Sequence, residues 1–148
     1  MSLDYSVQNS GVIIGSKNAT TLARTPVTLT NAYDNATTTK TFSTGGMSKL
    51  NVDILYTMGA TETSNTIDVR FEGSPDGTNF YRIPNDSTAG GTSTLTAREF
   101  TFVGTNAAAA TISIGLDIFY KFMKVSFKES GVVTNAGTVY AEITLSGE

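Results

Sequence analysis

Apolar residues recur at every second position over several short runs of this chain. In residues 50–57, Leu50, Val52, Ile54 and Tyr56 share one parity, while Asn51, Asp53 and Thr57 take the other. Residues 66–72 repeat the scheme, with Ile67, Val69 and Phe71 directed inward and Asp68, Arg70 and Glu72 outward. In 139–145, Val139, Ala141, Ile143 and Leu145 oppose Tyr140, Glu142 and Thr144; upstream, Met123, Val125 and Phe127 oppose Lys124, Ser126 and Lys128. Period-two alternation predicts strands with one buried and one wet face, as antiparallel sheets provide. The turn-forming stretch 129–137 between the last two runs predicts a terminal hairpin.

Weaker runs predict further strands over 26–30, 37–44, 78–83 and 95–103. Within 95–103 the apolar parity slips, from Leu95 and Ala97 to Phe100 and Phe102, which predicts a bulge or break near Arg98. A second slip falls at Phe122-Met123. Stretches 58–65, 84–93 and 104–110 are polar or small and read as loops, with 107–110 suited to a single helical turn. Val12-Ile13-Ile14, between Gly11 and Gly15, reads as a short buried strand or as an arm that docks elsewhere. About eight strands at this spacing define an all-β fold. The expected architecture is an antiparallel β-sandwich, jelly-roll or immunoglobulin-like, with a small closed barrel as the alternative. Residues 1–15 then form an N-terminal arm or short strand, and 16–148 a single domain. No period of 20 to 50 residues marks a repeat array.

Composition supports this class. Thr, β-branched and suited to a half-wet pleated surface, is abundant, and eight Phe with six Tyr supply the large core groups. A chain of 148 residues buries roughly 70% of its unfolded surface, enough for an ordinary core. The net charge is -3 and the ten basic residues are scattered, which argues against nucleic-acid binding. The N-terminus has neither a basic region nor a long apolar stretch, so no signal peptide is expected, and no apolar run is long enough to predict a membrane span.

The chemistry open to the chain is narrow. It has no histidine and no cysteine, which removes the usual general base near neutral pH and the usual zinc ligands. No GxSxG or SxxK motif marks a serine nucleophile. Glu72 and Asp76 are near enough in sequence to suggest a glycosidase carboxylate pair; the plainer reading makes Glu72 part of a wet strand face and Asp76 a turn former. Asp76, Thr78 and Asn79, or Asp34 and Asn35, offer oxygens for calcium but lack EF-hand spacing, and solvated loop acids are the better expectation. Three Asn-x-Ser/Thr sequons, at Asn18, Asn35 and Asn85, are few enough to arise by chance in such a composition. Phe80, Tyr81, Tyr120 and Tyr140 are candidates for an aromatic sugar platform or, more simply, for covers at the core margin. On these grounds the chain is expected to be no enzyme and to carry no cofactor or metal.

One run stands out: Phe71-Glu72-Gly73-Ser74-Pro75-Asp76-Gly77-Thr78-Asn79-Phe80-Tyr81-Arg82-Ile83. Pro75 fixes φ for the second position of a turn and Gly77 admits positive φ, so the run predicts strand, tight turn, strand. Residues 71–80 resemble a hairpin pattern, apolar-E-G-S-x-D-G-T-N-aromatic, common in structural proteins of tailed bacteriophages. Phe122-Met123-Lys124-Val125 resembles the aromatic-apolar-basic-apolar strand that follows there, with Lys124 where Arg is frequent, and residues 137–145 resemble the closing strand. The resemblance covers about half the chain. The SxDG turn also occurs in carbohydrate-binding sandwiches. What the resemblance implies is a virion structural protein, by its size a capsid decoration (cement) protein that binds the outer shell, often as a trimer. The alternative is a carbohydrate-binding or adhesive module of a tail, fibre or cell surface. The implied partners are capsid or other virion proteins and further copies of the chain, with neither nucleic acid nor membrane. An N-terminal arm able to add a strand to a neighbour's sheet would make contact through Leu3, Tyr5, Val7, Val12, Ile13 and Ile14.

Overall fold

The computed structural model describes residues 8–85, 88–89, 92–93, 96–97, 99–103, 109–131 and 133–147, with the backbone alone at 8–11 and from 84 to 103. In chain order the strands are β1 (Gln8–Ile14), β2 (Ser16–Lys17), β3 (Arg24–Thr25), β4 (Val27–Thr28), β5 (Thr39–Ser43), β6 (Lys49–Thr57), β7 (Thr66–Ser74) and β8 (Tyr81–Arg82). They continue with β9 (Pro84–Asn85), β10 (Thr88–Ala89), β11 (Thr92–Ser93), β12 (Thr96–Ala97), β13 (Glu99–Val103), β14 (Ala109–Asp117), β15 (Phe122–Ser130) and β16 (Thr138–Ser146). No helix occurs among the described residues.

Two five-stranded antiparallel sheets pack face to face. The first runs β1-β16-β6-β14, with β4 also on β16; the second runs β13-β7-β15-β5, with β8 also on β7. The inward parities are those the alternation predicts. Leu50, Val52, Ile54 and Tyr56 on β6 meet Ile67, Val69 and Phe71 on β7, Met123, Val125 and Phe127 on β15, and Val139, Ala141, Ile143 and Leu145 on β16 in one core. The architecture is thus an antiparallel β-sandwich.

Several local expectations change. β15 and β16 do not form a hairpin: β15 pairs β7 and β5, β16 pairs β6, β1 and β4, and the intervening residues cross from one sheet to the other. Alternation sets which way a strand faces but not which strand lies beside it. The crossing is held by Glu62, whose carboxylate accepts the backbone N–H groups of Thr134 (2.7 Å) and Asn135 (2.6 Å). Residues 109–110, expected in a loop, open the nine-residue β14, which the sequence reasoning does not predict and which is in register with β6 along its full length. β12 pairs β9 and β13 pairs β7, while Arg98, where the parity slip predicts a bulge or break, lies outside the described residues.

Glu129, expected in the loop, is on β15 at an inward position and is 1% exposed. Its carboxyl group accepts from the Tyr56 hydroxyl at 2.7 Å and from the Gly137 N–H at 2.8 Å. Burial, then the Glu129 hydrogen bond, raises the Tyr56 pKa above its ordinary value. Buried polar groups are tolerated when paired in this way. Glu129→Ala orphans both donors and is expected to cost about 2–3 kcal/mol, with a smaller loss for Glu129→Gln, measured by urea unfolding.

Candidate functional site

Between β7 and β8 the run 71–83 folds as strand, turn, strand, with Glu72 opposite Arg82 and Gly73 opposite Tyr81. Each residue of the pattern has a local task. Ser74 Oγ accepts the Gly77 N–H at 2.9 Å, and Asp76 Oδ1 accepts those of Thr78 and Asn79, both at 2.8 Å. Asn79 Nδ2 donates to Asp76 Oδ2 at 2.7 Å. These bonds, with the Asn79 backbone bond the largest influence, hold the Asp76 carboxyl far below the usual carboxylate range. Gly77 has φ of 80°, open to glycine at little cost. Gly73 has a different reason: a Cβ there would overlap the Tyr120 ring, which lies directly on its backbone.

Glu72 reaches across the sheet. Lys124 is its direct partner on β15, and the two side chains form an ion pair at 2.6 Å. The Lys124 ammonium also meets Asp34 at 3.0 Å and lies 5.0 Å from the centre of the Phe80 ring. Arg70 pairs with Asp34 at 2.7 Å and stacks 4.2 Å from the Tyr33 ring. The loop 31–37 therefore closes over the outer side of β7 and β15. It is anchored where the Asp34 N–H, at φ of 66°, donates to Ser126 Oγ. This corrects the expected wet face: Asp68, Arg70 and Glu72 do point away from the core, but they are only 8%, 7% and 7% exposed. The cover comes from a segment more than thirty residues away in sequence, which alternation within β7 does not report.

Glu72 and Asp76 do not form a catalytic pair in a cleft. Glu72 is buried against Lys124, and Asp76 is exposed on the turn it stabilises. Asp34 and Asn35 are likewise spoken for: Asp34 by two cations, and Asn35 Oδ1 by the Thr37 N–H at 3.0 Å and hydroxyl at 2.7 Å. Among the described residues no three acids converge as a metal site would require. Nor do the candidate rings form one platform among the described residues: Tyr81 is 57% exposed, but Tyr120 packs against the core and Tyr140 is 2% exposed beneath Arg24. Of the proposed arm residues, Leu3, Tyr5 and Val7 lie outside the described residues. Val12 and Ile13 are half-buried and Ile14 fully buried on β1, paired with β16 of the same chain.

The hairpin end of the sandwich carries an exposed apolar patch. Residues 43–47 and 118–122 meet there; Phe119 is 85% exposed, with Met47 and Tyr120 beside it, and Gly77 lies against the Phe122 ring. Sequence reasoning missed Phe119, a lone aromatic after a strand it had not recognised. A second, shallow cleft on the outer side of the first sheet holds Arg24, Asp53, Leu55, Thr111, Tyr140 and Glu142. Its Glu142 is paired with Lys17 at 2.8 Å, and burial followed by the Glu142 hydrogen bond pushes Tyr140 up to about 12.

The ionic contacts set an acid response. Burial works to raise the Asp34 pKa, but Lys124 and Arg70 outweigh it and hold the carboxyl below its ordinary value; Lys17 does the same for Glu142. A depressed folded-state pKa stabilises the fold above the unfolded value, and the contribution is lost as pH falls through the folded one. The melting temperature is expected to be level from about pH 5 to 8 and to fall below about pH 4, with Asp34→Asn giving a lower plateau and a shallower fall, measured by thermal melts across pH.

The geometry defines a β-sandwich scaffold whose buried charges join strands and loops. In comparisons with protein-family models, curated proteins and solved structures, nothing matches the chain.

Proposed function

We propose that the chain is a structural protein of tailed-bacteriophage virions, a capsid decoration (cement) protein that binds the outer shell as a homo-oligomer and performs no catalysis. One observation carries the reading. The separate stretches that resemble phage structural proteins supply one physical unit: Glu72 from the hairpin pairs with Lys124 from the later strand, and Phe80, the aromatic that closes the hairpin pattern, sits over that lysine. Gly73, Ser74, Asp76 and Gly77 are each explained by the same unit. The mutual support of its members favours reading the pattern as one building module, and an Arg at Lys124 would serve the same pairing.

The surface that suits shell binding is the hairpin end, where Phe119 projects with its ring unburied. Aromatic residues of this kind anchor protein interfaces by filling a partner's pocket. The test is co-sedimentation with capsids of the parent phage from which the protein has been removed. Wild-type protein is expected to pellet with the shells, and Phe119→Ser to pellet at least tenfold less while keeping its melting temperature. Wild-type protein that stays in the supernatant contradicts the proposal. Of the four rings that the sequence suggests for a sugar platform, Phe80, Tyr81, Tyr120 and Tyr140, Tyr81 alone is exposed, which is too little for stacking.

A further inference from the structure

The sheet edges of this sandwich are guarded unequally. β1 has a register shift between Gln8 and Val12, and β5 and β13 are five residues long and carry Lys40 and Glu99. β14 has none of these devices. It is nine residues long, pairs only β6 among the described residues, and keeps one unbroken register from Ala109↔Thr57 to Asp117↔Lys49. Its sequence, Ala-Ala-Thr-Ile-Ser-Ile-Gly-Leu-Asp, has no Pro and no charge before the last residue. Long, flat, uncharged edges are templates for pairing with another chain, and proteins that remain monomeric blunt them.

We propose that β14 pairs antiparallel with β14 of a second copy of this chain, across a two-fold axis at Ser113. The strand is complementary to itself in that register. Ile112 falls opposite Ile114 of the other copy, Ala110 opposite Leu116, Thr111 opposite Gly115, and Ala109 opposite Asp117. Directly opposed residues share a face, so the core-side residues Ile112, Ile114 and Leu116 stay on the core side of the joined sheet. Ile112, only half-buried in one chain, gains cover. Bulky groups meet small ones at both ends, and the two Asp117 carboxylates sit at opposite ends of the seam. The contact is isologous and closes at two. It stands independently of the particle the protein belongs to.

A lone cysteine makes the test clean, because the chain has none of its own. Residues opposed on neighbouring strands have Cα atoms about 5 Å apart, within the span a disulfide bridges. Ser113→Cys is therefore expected to give a covalent dimer in high yield under mild oxidation. Asp117→Cys, whose two copies would lie roughly 25 Å apart along the seam, is expected to stay uncrosslinked. Light scattering on the unmodified protein should give a mass that rises with concentration to twice 15.6 kDa. A single-chain mass up to millimolar protein overturns the proposal. So does equal crosslinking at the two positions, or a trimer in which Ser113→Cys remains free, the outcome expected if a neighbour's N-terminal segment fills this edge instead.

Discussion

Val69→Asp is expected to prevent folding: the variant should be insoluble, or soluble without a cooperative unfolding transition. Val69 is 0% exposed on the core side of β7, the strand at the middle of the second sheet. The substitution gives up a buried aliphatic group and places a carboxylate where the core offers apolar neighbours and no cation. An unpaired buried charge costs several kcal/mol or forces its own protonation, against a total stability of about 5–15 kcal/mol for a domain. The flanking Asp68 and Arg70 are charged and nearly as buried, but they lie on the other side of the strand among partners. A Val69→Asp protein that unfolds cooperatively, measured by circular dichroism and urea, would contradict the facing of β7.

Lys124→Ala is expected to be the most damaging change outside the apolar core. It removes the cation paired with Glu72 at 2.6 Å and with Asp34 at 3.0 Å, and leaves the covered Glu72 only the more distant Arg70 guanidinium, at 4.0 Å. Breaking one side of a buried pair costs more than the pair itself contributes, so a loss of about 3 kcal/mol is expected. For a domain of this size that lowers the melting temperature by roughly 10 °C. Lys124→Arg keeps the charge and should lose less than about 1 kcal/mol, whereas Glu72→Leu combined with Lys124→Met should lose less than Lys124→Ala alone. Equal losses for Ala and Arg would mean that the ammonium's place under Phe80, rather than its charge, is what matters.

The strands that build the core were legible because each buries one side only, so that the order of Leu50, Val52, Ile54 and Tyr56, or of Met123, Val125 and Phe127, records the side directly. β14 carried the same signal in Ile112, Ile114 and Leu116, obscured by the alanines before it and by Gly115 within it. Glu129 stood at the inward parity of β15, but its charge marked it as loop, since nothing local announced Tyr56 as its partner. The crossing between sheets at 131–137 has the composition of a hairpin turn, and composition does not distinguish the two. The turn at 74–79 was readable because its bonds are made within six residues. The unit around Glu72 was not, because Lys124 and Asp34 reach it from segments some fifty and forty residues away. Phe119 gained its meaning only when β14 and β15 set the loop between them at the hairpin end.

The most direct test of the proposed role is a cryo-electron-microscopy reconstruction of the parent phage capsid with and without this protein. The expected result is extra density on the outer shell at regular positions, fitted by the two-sheet fold with Phe119 and the 74–79 turn directed inward. Identical shells in the two reconstructions, or density found only on the tail, would contradict it.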